Sequence, residues 1–228
     1  MDSESGPKSS ASTSQPSTSD SSSAFERWRS WASEMTGIGL STGGTPSASR
    51  QARDIARCEK NKQWLIDNSP VVTFMLQHLS LSGCRVPARN LICGPCNQTR
   101  AGGYDPERGA IILCASNFYS RRHMERTMAH ELVHMYDDCK FNVDWSNLRH
   151  QACSEIRANS LSGDCRYASE LARGVFGVAG QHQECVRRRA IGSLAANPLC
   201  PNEETARKVV NEVFESCFKD TRPFDEVY

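Results

Sequence analysis

The clearest chemical pattern in the sequence is "HELVH", in which His130 and His134 lie four residues apart and Glu131 follows the first histidine. Residues four apart on an α-helix face the same side, so both imidazoles can bind one metal ion. Glu131 lies about 100° round the helix from His130, where its carboxylate can flank a water molecule without taking a ligand position. These groups hydrolyse peptide bonds in zinc proteases. The pattern therefore predicts a Zn²⁺ centre with Glu131 as the catalytic base.

A catalytic zinc ion with two histidine ligands needs a third protein ligand, and the next helical segment offers Glu155 and His150. Five residues separate them, so their side chains point about 140° apart and only one can reach the ion. Glu155 lies on an apolar stripe, where a carboxylate is costly unless a cation compensates it. His150 lies on a polar side, which indicates solvent or the rim of the site. The stripe holds Leu148, Ala152 and Ile156, and the polar side holds Asn147, Ser154 and Arg157.

We therefore expect Glu155 to be the third ligand. Two alternatives stay open. His150 is either the ligand itself or a residue that faces the substrate and polarises an oxyanion. Glu155, if it is not a ligand, is the buried partner of an arginine.

The helix that carries the motif has one apolar face and one polar face. This indicates that the apolar face packs against the core and that the polar face forms the functional site. The alternative is a surface helix with two solvated histidines. The apolar face holds Met124, Met128, Leu132 and Met135, and the polar face holds His123, Thr127, His130, His134 and Asp137.

Helix and strand patterns around the motif predict an α+β fold, with a small sheet followed mainly by helices. Ser69 and Pro70 mark the start of a helix that runs to about Leu81 and ends at Gly83. The runs "RVPARNLICGPC" and "GGYDPERGAIILCAS" have the β-branched residues and turn signals of short strands. Helical patterns follow at about 120–136, 145–161, 181–196 and 202–219, with Asp144 and Asn202 as caps of the second and the last.

Composition divides the 228 residues into two parts. Residues 1–49 comprise a serine-rich tail, an amphipathic stripe at 25–35 and a flexible linker at 37–49, and we expect the tail to be disordered. Residues 50–228 have the composition of one folded domain. A net charge of +1 gives no reason to expect nucleic acid as a partner. We see no apolar run long enough to cross a membrane, no secretory signal and no amphipathic transit peptide, and expect a soluble or peripheral protein.

Eleven cysteines suggest an oxidising compartment and leave at least one thiol unpaired. Buried free thiols in a reducing cytosol are the alternative. For "CGPC" at 93–96 a structural disulfide or turn is favoured over redox catalysis, because no helical pattern follows it, and a zinc knot with Cys84 and Cys114 is a third possibility.

The arginines at 187–189 are expected on a solvated face. His78 and His182 are expected to be surface or core residues.

The run from His130 through Cys165 resembles the family of mitochondrial metalloproteases that mature a membrane subunit of ATP synthase and assist that enzyme's assembly. The likeness continues from about Cys58 to the C-terminus. It implies a zincin fold, with His130 and His134 as zinc ligands and Glu131 as the base. It also implies a peripheral position on the intermembrane-space side of the inner membrane, reached by oxidative trapping of cysteines. The family pattern supplies no third ligand, so the assignment of Glu155 as a ligand depends only on its position in the apolar stripe.

The resemblance predicts a monomeric or transiently associated zinc metalloendopeptidase that removes the presequence of a mitochondrially encoded ATP synthase subunit precursor. It also predicts an assembly chaperone role that does not need proteolysis. Two alternatives remain. One is a non-proteolytic assembly factor that keeps the zinc-binding fold, and the other is a secreted, disulfide-rich metalloprotease.

Overall fold

The computed structural model describes residues 48–96, 100–176 and 180–225, which form seven α-helices and three β-strands. The helices are α1 (Ala48–Asn68), α2 (Pro70–Leu81), α3 (Arg121–Phe141), α4 (Leu148–Leu161), α5 (Tyr167–Ala172), α6 (Gln181–Ala195) and α7 (Glu203–Lys219). The strands are β1 (Leu91–Gly94), β2 (Gly102–Asp105) and β3 (Ala110–Cys114). The tail, the stripe at 25–35 and the linker up to residue 47 lie outside the described residues. The division at residues 49 and 50 stays a prediction.

The α+β prediction is confirmed, and two of the three predicted helix caps are found where they were expected. Ser69 accepts a hydrogen bond from the backbone of Val72 at the start of α2, and Asn202 accepts one from Thr205 at the start of α7. The cap predicted at Asp144 is wrong, because α4 begins at Leu148 with Asn147 as its cap. Helix α3 extends to Phe141 rather than 136. Helices α1 and α5 were not predicted.

The three strands form a sheet in the order β1-β3-β2, with β1 parallel and β2 antiparallel to β3. Alternate residues of β3 face the core, so Ile111 and Leu113 are fully buried while Ile112 is 38% exposed. Within the described chain β2 is paired on one side only. Strand β2 also contacts α3.

Two apolar clusters hold the described chain together. The first joins α1, α2, the sheet and the apolar face of α3, where Met124, Met128, Leu132 and Met135 are buried as predicted. The second joins α4, α6 and α7 around Ile156, Val186, Leu194 and Phe214. Helix α4 packs against α3 as well as α6 and α7. The motif helix and the helix that carries Glu155 are therefore fixed against each other.

Ten cysteines form five disulfides, and Cys200 is buried and free. The pairs are Cys58–Cys93, Cys84–Cys139, Cys96–Cys114, Cys153–Cys217 and Cys165–Cys185. The two cysteines of "CGPC" therefore bond to different partners, which confirms a structural role and rules out a redox pair between them. The suggested zinc knot is wrong, because Cys84 and Cys114 are both bonded to other cysteines.

The arginines at 187–189 do more than form a solvated face. Arg187 lies over the ring of Phe214, with 3.6 Å from its guanidinium carbon to the ring centroid. Arg188 and Arg189 bond to side chains of neighbouring helices. In the described ranges, no helix combines the length and the apolar character that crossing a bilayer requires.

Candidate metal centre

His130, His134 and Glu155 lie together at the junction of α3 and α4. The Nε2 atoms of the two histidines are 3.1 Å apart, and the Glu155 oxygens lie 3.6 Å from Nε2 of His130 and 3.7 Å from Nε2 of His134. All three side chains are largely buried. They are the one set of three or more such side chains in the described chain whose ligand atoms all lie within 4.8 Å of one another. The structure therefore brings the three predicted ligands together.

The spacing of these atoms suits a small divalent metal ion. Ligand atoms about 2.1 Å from a tetrahedral ion lie about 3.4 Å from one another. The three distances of 3.1, 3.6 and 3.7 Å bracket that value. Two imidazoles and one carboxylate also leave one side open toward a cleft, which is the arrangement of catalytic rather than structural zinc sites. The residues present fit the ion.

Glu155 is held by side chains that the motif did not reveal. The Ser193 hydroxyl on α6 donates a short hydrogen bond to one of its oxygens. The Asn159 amide donates to the other oxygen at 3.3 Å and to the Glu155 backbone carbonyl at 2.8 Å. Both partners fix the orientation of the carboxylate, which is what ligands of a metal require. Sequence offered no signal for Ser193, because it lies 38 residues away.

Electrostatics give His134 and Glu155 the protonation states of metal ligands. Burial lowers the pKa of His134 to about 4, with a smaller opposing effect of the Glu155 charge, so this imidazole is neutral at physiological pH. Burial alone would raise the pKa of Glu155, but hydrogen bonding to His130 and the charges of both histidines lower it to about 2. Burial opposes a charge on His130, yet its bond to Glu155 and the charges of Glu131 and Glu155 raise the His130 pKa. Glu155 is therefore ionised.

Glu131 lines the same cleft and is 7% exposed. Burial raises the pKa of its carboxyl to about 7, with smaller effects from the charges of His130 and Glu155 and from a hydrogen bond from the Tyr104 backbone. A base with a pKa near the working pH suits proton transfer. The structure thus places Glu131 beside the cluster without making it a ligand.

Strand β2 approaches α3 closely at Gly102. A Cβ atom there would lie 2.8 Å from Cγ2 of Thr127, 3.0 Å from the carbonyl oxygen of Ile112 and 3.6 Å from Cγ of Glu131. Contacts under 3.0 Å are essentially never found for a real Cβ. Glycine at this position therefore allows the strand to lie against the catalytic helix.

Tyr104 and Trp145 form an aromatic wall at the C-terminal end of the motif. The Tyr104 hydroxyl donates to Asp138 at 2.7 Å, and the Trp145 indole donates to the other oxygen of Asp138 at 2.8 Å. Their rings lie 5.9 Å apart, and the Trp145 ring lies 5.9 Å from that of His134. Burial and the bond to Asp138 raise the pKa of Tyr104, so its hydroxyl stays protonated.

These groups line a cleft of about 930 Å³. Helix α3 forms its floor, β2 forms one wall, and α4, α6 and the segment after α6 form the other. The residues that line it around the cluster are Arg100, Gly102, Gly103, Tyr104, Tyr119, His123, Thr127, Trp145, Gln151, Asp164, Arg173, Arg189, Ser193 and Asn197. A volume of this size accommodates several residues of an extended peptide.

Asp137 does not line the candidate site, although its spacing placed it on the polar face of the motif helix. It is 1% exposed and pairs with Arg157, whose Nη2 lies 3.0 Å from its carboxylate. Arg157 and Ser154 are each 2% exposed, so the prediction that this side of α4 faces solvent is wrong at both positions. The reason is that α3, α6 and α7 surround α4. Periodicity within one helix does not show how many neighbours will cover it.

His150 lies on the exposed side of α4, and its Nδ1 accepts the backbone N–H of Asp144 at 3.1 Å. It caps the turn before the helix and does not line the cleft. The alternative in which Glu155 is the buried partner of an arginine is also not what the structure shows, since its partners are histidine, serine and asparagine.

Comparisons with known proteins show what the chain is similar to. The model of the Peptidase M76 family matches residues 56–225. A protein of Neosartorya fischeri named mitochondrial inner membrane protease atp23 is 52% identical over 180 residues, which are 78% of this chain and 76% of the relative. The protein of the same name in Yarrowia lipolytica is 51% identical, over 75% of this chain and 68% of the relative. The one in Coccidioides immitis is 45% identical, over 88% of this chain and 86% of the relative. No solved structure gives a significant match.

Proposed function

Because the chain belongs to the Peptidase M76 family and is a mitochondrial peptidase, we propose that it is a zinc metalloendopeptidase. We propose as its substrate the precursor of a mitochondrially encoded membrane subunit of ATP synthase, from which it removes the presequence. The observation that carries the proposal is the cluster of His130, His134 and Glu155 beside Glu131, open to a cleft. The substrate itself is supported by the resemblance of residues 130–165 to proteases of that role.

In this proposal His130, His134 and Glu155 hold the zinc ion. Zinc supplies a Lewis acid that makes water more acidic and polarises a carbonyl oxygen. Glu131 accepts the proton of the attacking water and then donates it to the leaving amine. Its buried position and its pKa of about 7 suit both steps.

The edge of β2 that pairs with no other strand of the described chain gives the substrate a place to bind. Gly102, Gly103 and Tyr104 of this strand line the cleft, and an extended peptide can add a strand to β2 through backbone hydrogen bonds. Such a peptide lies across Glu131 and the histidine cluster. Backbone pairing positions the bond to be cleaved whatever the side chains are.

We also propose a peripheral position on the intermembrane-space side of the inner membrane, and an assembly chaperone role for the membrane part of ATP synthase. Five disulfides support an oxidising compartment. The relatives' names support the inner membrane. The chaperone role follows from the resemblance and does not depend on the catalytic residues.

The test combines metal content with processing. Purified protein should hold about one zinc ion per chain. His134→Ala and Glu155→Ala should lose it, whereas His150→Ala should keep it, since His150 is exposed on the far side of α4. Loss of zinc with His150→Ala and retention with Glu155→Ala would reverse the ligand assignment.

Glu131→Gln separates catalysis from assembly. The variant should retain zinc but stop processing of the precursor in cells that lack the wild-type protein, while assembly of ATP synthase continues. Full processing by the Glu131→Gln protein would contradict the proposed role of this carboxylate. A folded protein that is active without any metal would contradict the whole mechanism.

A further inference from the structure

Apart from Arg100 and the carboxylates of Glu131 and Glu155, the charged residues that line the cleft lie at one end. Helix α3 runs along its floor, with His123 two turns before His130 and therefore about 10 Å from it along the helix. Three charged groups act on His123 from the walls of the cleft, namely Asp164, Arg173 and Arg189. At the opposite end, beyond His134, the lining residues are uncharged: Tyr104, Pro106, Trp145, Gln151 and Asn197.

The charged end has an excess of positive charge. Four arginines share two buried carboxylates, those of Asp164 and Glu170, which are 8% and 0% exposed. Four guanidinium groups against two carboxylates leave two positive charges. The arginines are Arg126, Arg173, Arg188 and Arg189, and they lie 3.8 Å, 2.8 Å, 2.6 Å and 3.0 Å, respectively, from a carboxylate oxygen of Asp164 or Glu170. Burial lowers the pKa of His123, and three of these arginines lower it further, so His123 is neutral.

Two of the arginines reach the cleft with part of their surface open. The side chains of Arg173 and Arg189 are 34% and 36% exposed. Arg189 donates through Nε to Asn159 at 2.7 Å and through Nη2 to Asp164 at 3.0 Å. Its Nη1 has no partner among the described residues. A guanidinium group held in this way retains donors for a second carboxylate.

We propose that Arg173 and Arg189 form a subsite that binds an acidic side chain of the substrate. This inference rests on the proposed peptidase function. The 10 Å between His123 and His130 correspond to about three residues of an extended peptide. The acidic residue therefore lies about three positions from the cleaved bond, on one side only, and the aromatic wall contacts uncharged residues on the other side.

The direct test is a cleavage profile. Zinc-loaded full-length protein digests a library of peptides derived from a proteome, and mass spectrometry identifies the cleaved bonds. Asp and Glu should be enriched about three positions from the bond on one side. A pair of peptides that differ only as Asp against Asn at that position should differ about tenfold in kcat/KM.

Variants assign the preference to the two arginines. Arg173→Gln and Arg189→Gln should each reduce the ratio of kcat/KM between the Asp and Asn peptides. The ratio is the readout because Arg189 also bonds Asn159, a partner of Glu155, so its replacement lowers kcat/KM for both peptides. Arg187→Gln is the matched control, because this arginine is on the same helix as Arg189 but lies over Phe214 and bonds Asn211. It should leave the ratio unchanged.

Three results would overturn the subsite. The first is a wild-type cleavage profile without enrichment of Asp and Glu, and the second is an equal loss of kcat/KM for the Asp and Asn peptides in the Arg173 and Arg189 variants. The third is a reduction of the Asp-to-Asn ratio by Arg187→Gln that equals the reduction in those variants. Binding is measured separately on immobilised, zinc-loaded Glu131→Gln protein with the same library. Retention of acidic peptides there supports the subsite even if the wild-type protein cleaves nothing, which would contradict only the proposed peptidase function. Retention independent of acidic residues contradicts the subsite alone.

Discussion

The hydroxyl of Ser154 lies 2.7 Å from Nδ1 of His134, while Nε2 of the same ring faces Glu155 at 3.7 Å. Ser154 also hydrogen-bonds Asp137, which pairs with Arg157. If the imidazole donates to the hydroxyl and the hydroxyl donates to the carboxylate, every group in this series is satisfied. That arrangement places the ring proton on Nδ1 and leaves Nε2 as the lone-pair donor. Ser154 therefore positions the imidazole of His134, a proposed zinc ligand.

Replacing Ser154 by alanine should weaken metal binding about 10- to 100-fold, since the partner that fixes the ring and its tautomer is lost. The measurement is competition for zinc between the protein and a chelator of known affinity. The fold should persist, which circular dichroism checks.

Ser160→Ala is the matched control for this change. Ser160 is on the same helix and is 3% exposed, and its hydroxyl has no hydrogen-bond partner among the described residues. Its removal should leave zinc affinity unchanged. Equal affinities in all three proteins would show that Ser154 does not position His134.

Arg157→Ala should destabilise the protein by about 3–5 kcal/mol, because it leaves the Asp137 carboxylate buried without its partner. Arg157 also donates to the backbone carbonyls of Asp220 and Arg222, so the segment after α7 loses its anchor as well. The free energy of unfolding is measured with denaturant while the disulfides remain intact. Arg149 is on the same helix as Arg157, and Arg149→Ala removes only an exposed ion pair with Glu212 of α7. This variant should change stability little. Similar losses in both variants would contradict this assignment.

Much of the site could be predicted from sequence because its signals are local. Spacing within one helix places His130, His134 and Glu131, and the cost of a buried carboxylate singles out Glu155. Capping residues such as Ser69 and Asn202 mark helix starts for the same reason. Each of these inferences needs only the geometry of one element.

The remainder of the site depends on contacts between elements that are far apart in the chain. Ser193 reaches Glu155 across 38 residues, and Arg157 anchors backbone more than 60 residues away. The pairing of Cys93 with Cys58 rather than with Cys96 depends on how α1 meets β1. No periodicity within a single segment contains this information. The same reason explains why Asp137 and Arg157 were assigned to the wrong faces.

Breaking the disulfide between Cys153 and Cys217 should cost about 2–5 kcal/mol of stability, because it closes a long loop and joins α4 to α7. The double variant Cys153→Ser, Cys217→Ser is compared with the wild type by thermal unfolding, with and without reductant. Reductant breaks all five disulfides, so it should lower the midpoints of both proteins below that of the variant without reductant. Cys200→Ala is the control, since that thiol is buried and free and its removal breaks no cross-link. A double variant as stable as the wild type would show that α4 is held by packing alone.

Gly102→Ala should reduce peptidase activity by about tenfold or more, because the added methyl group pushes β2 away from Thr127 and Glu131. One of the crowded atoms is the backbone oxygen of Ile112, which cannot rotate away, so the strand itself must shift at a cost of about 1–3 kcal/mol. Gly94→Ala is the matched control in the same sheet, since a Cβ there meets nothing within 4 Å. Activity and thermal stability are measured for both. If Gly102→Ala is as active as Gly94→Ala, close approach of β2 to the catalytic helix is not required for cleavage.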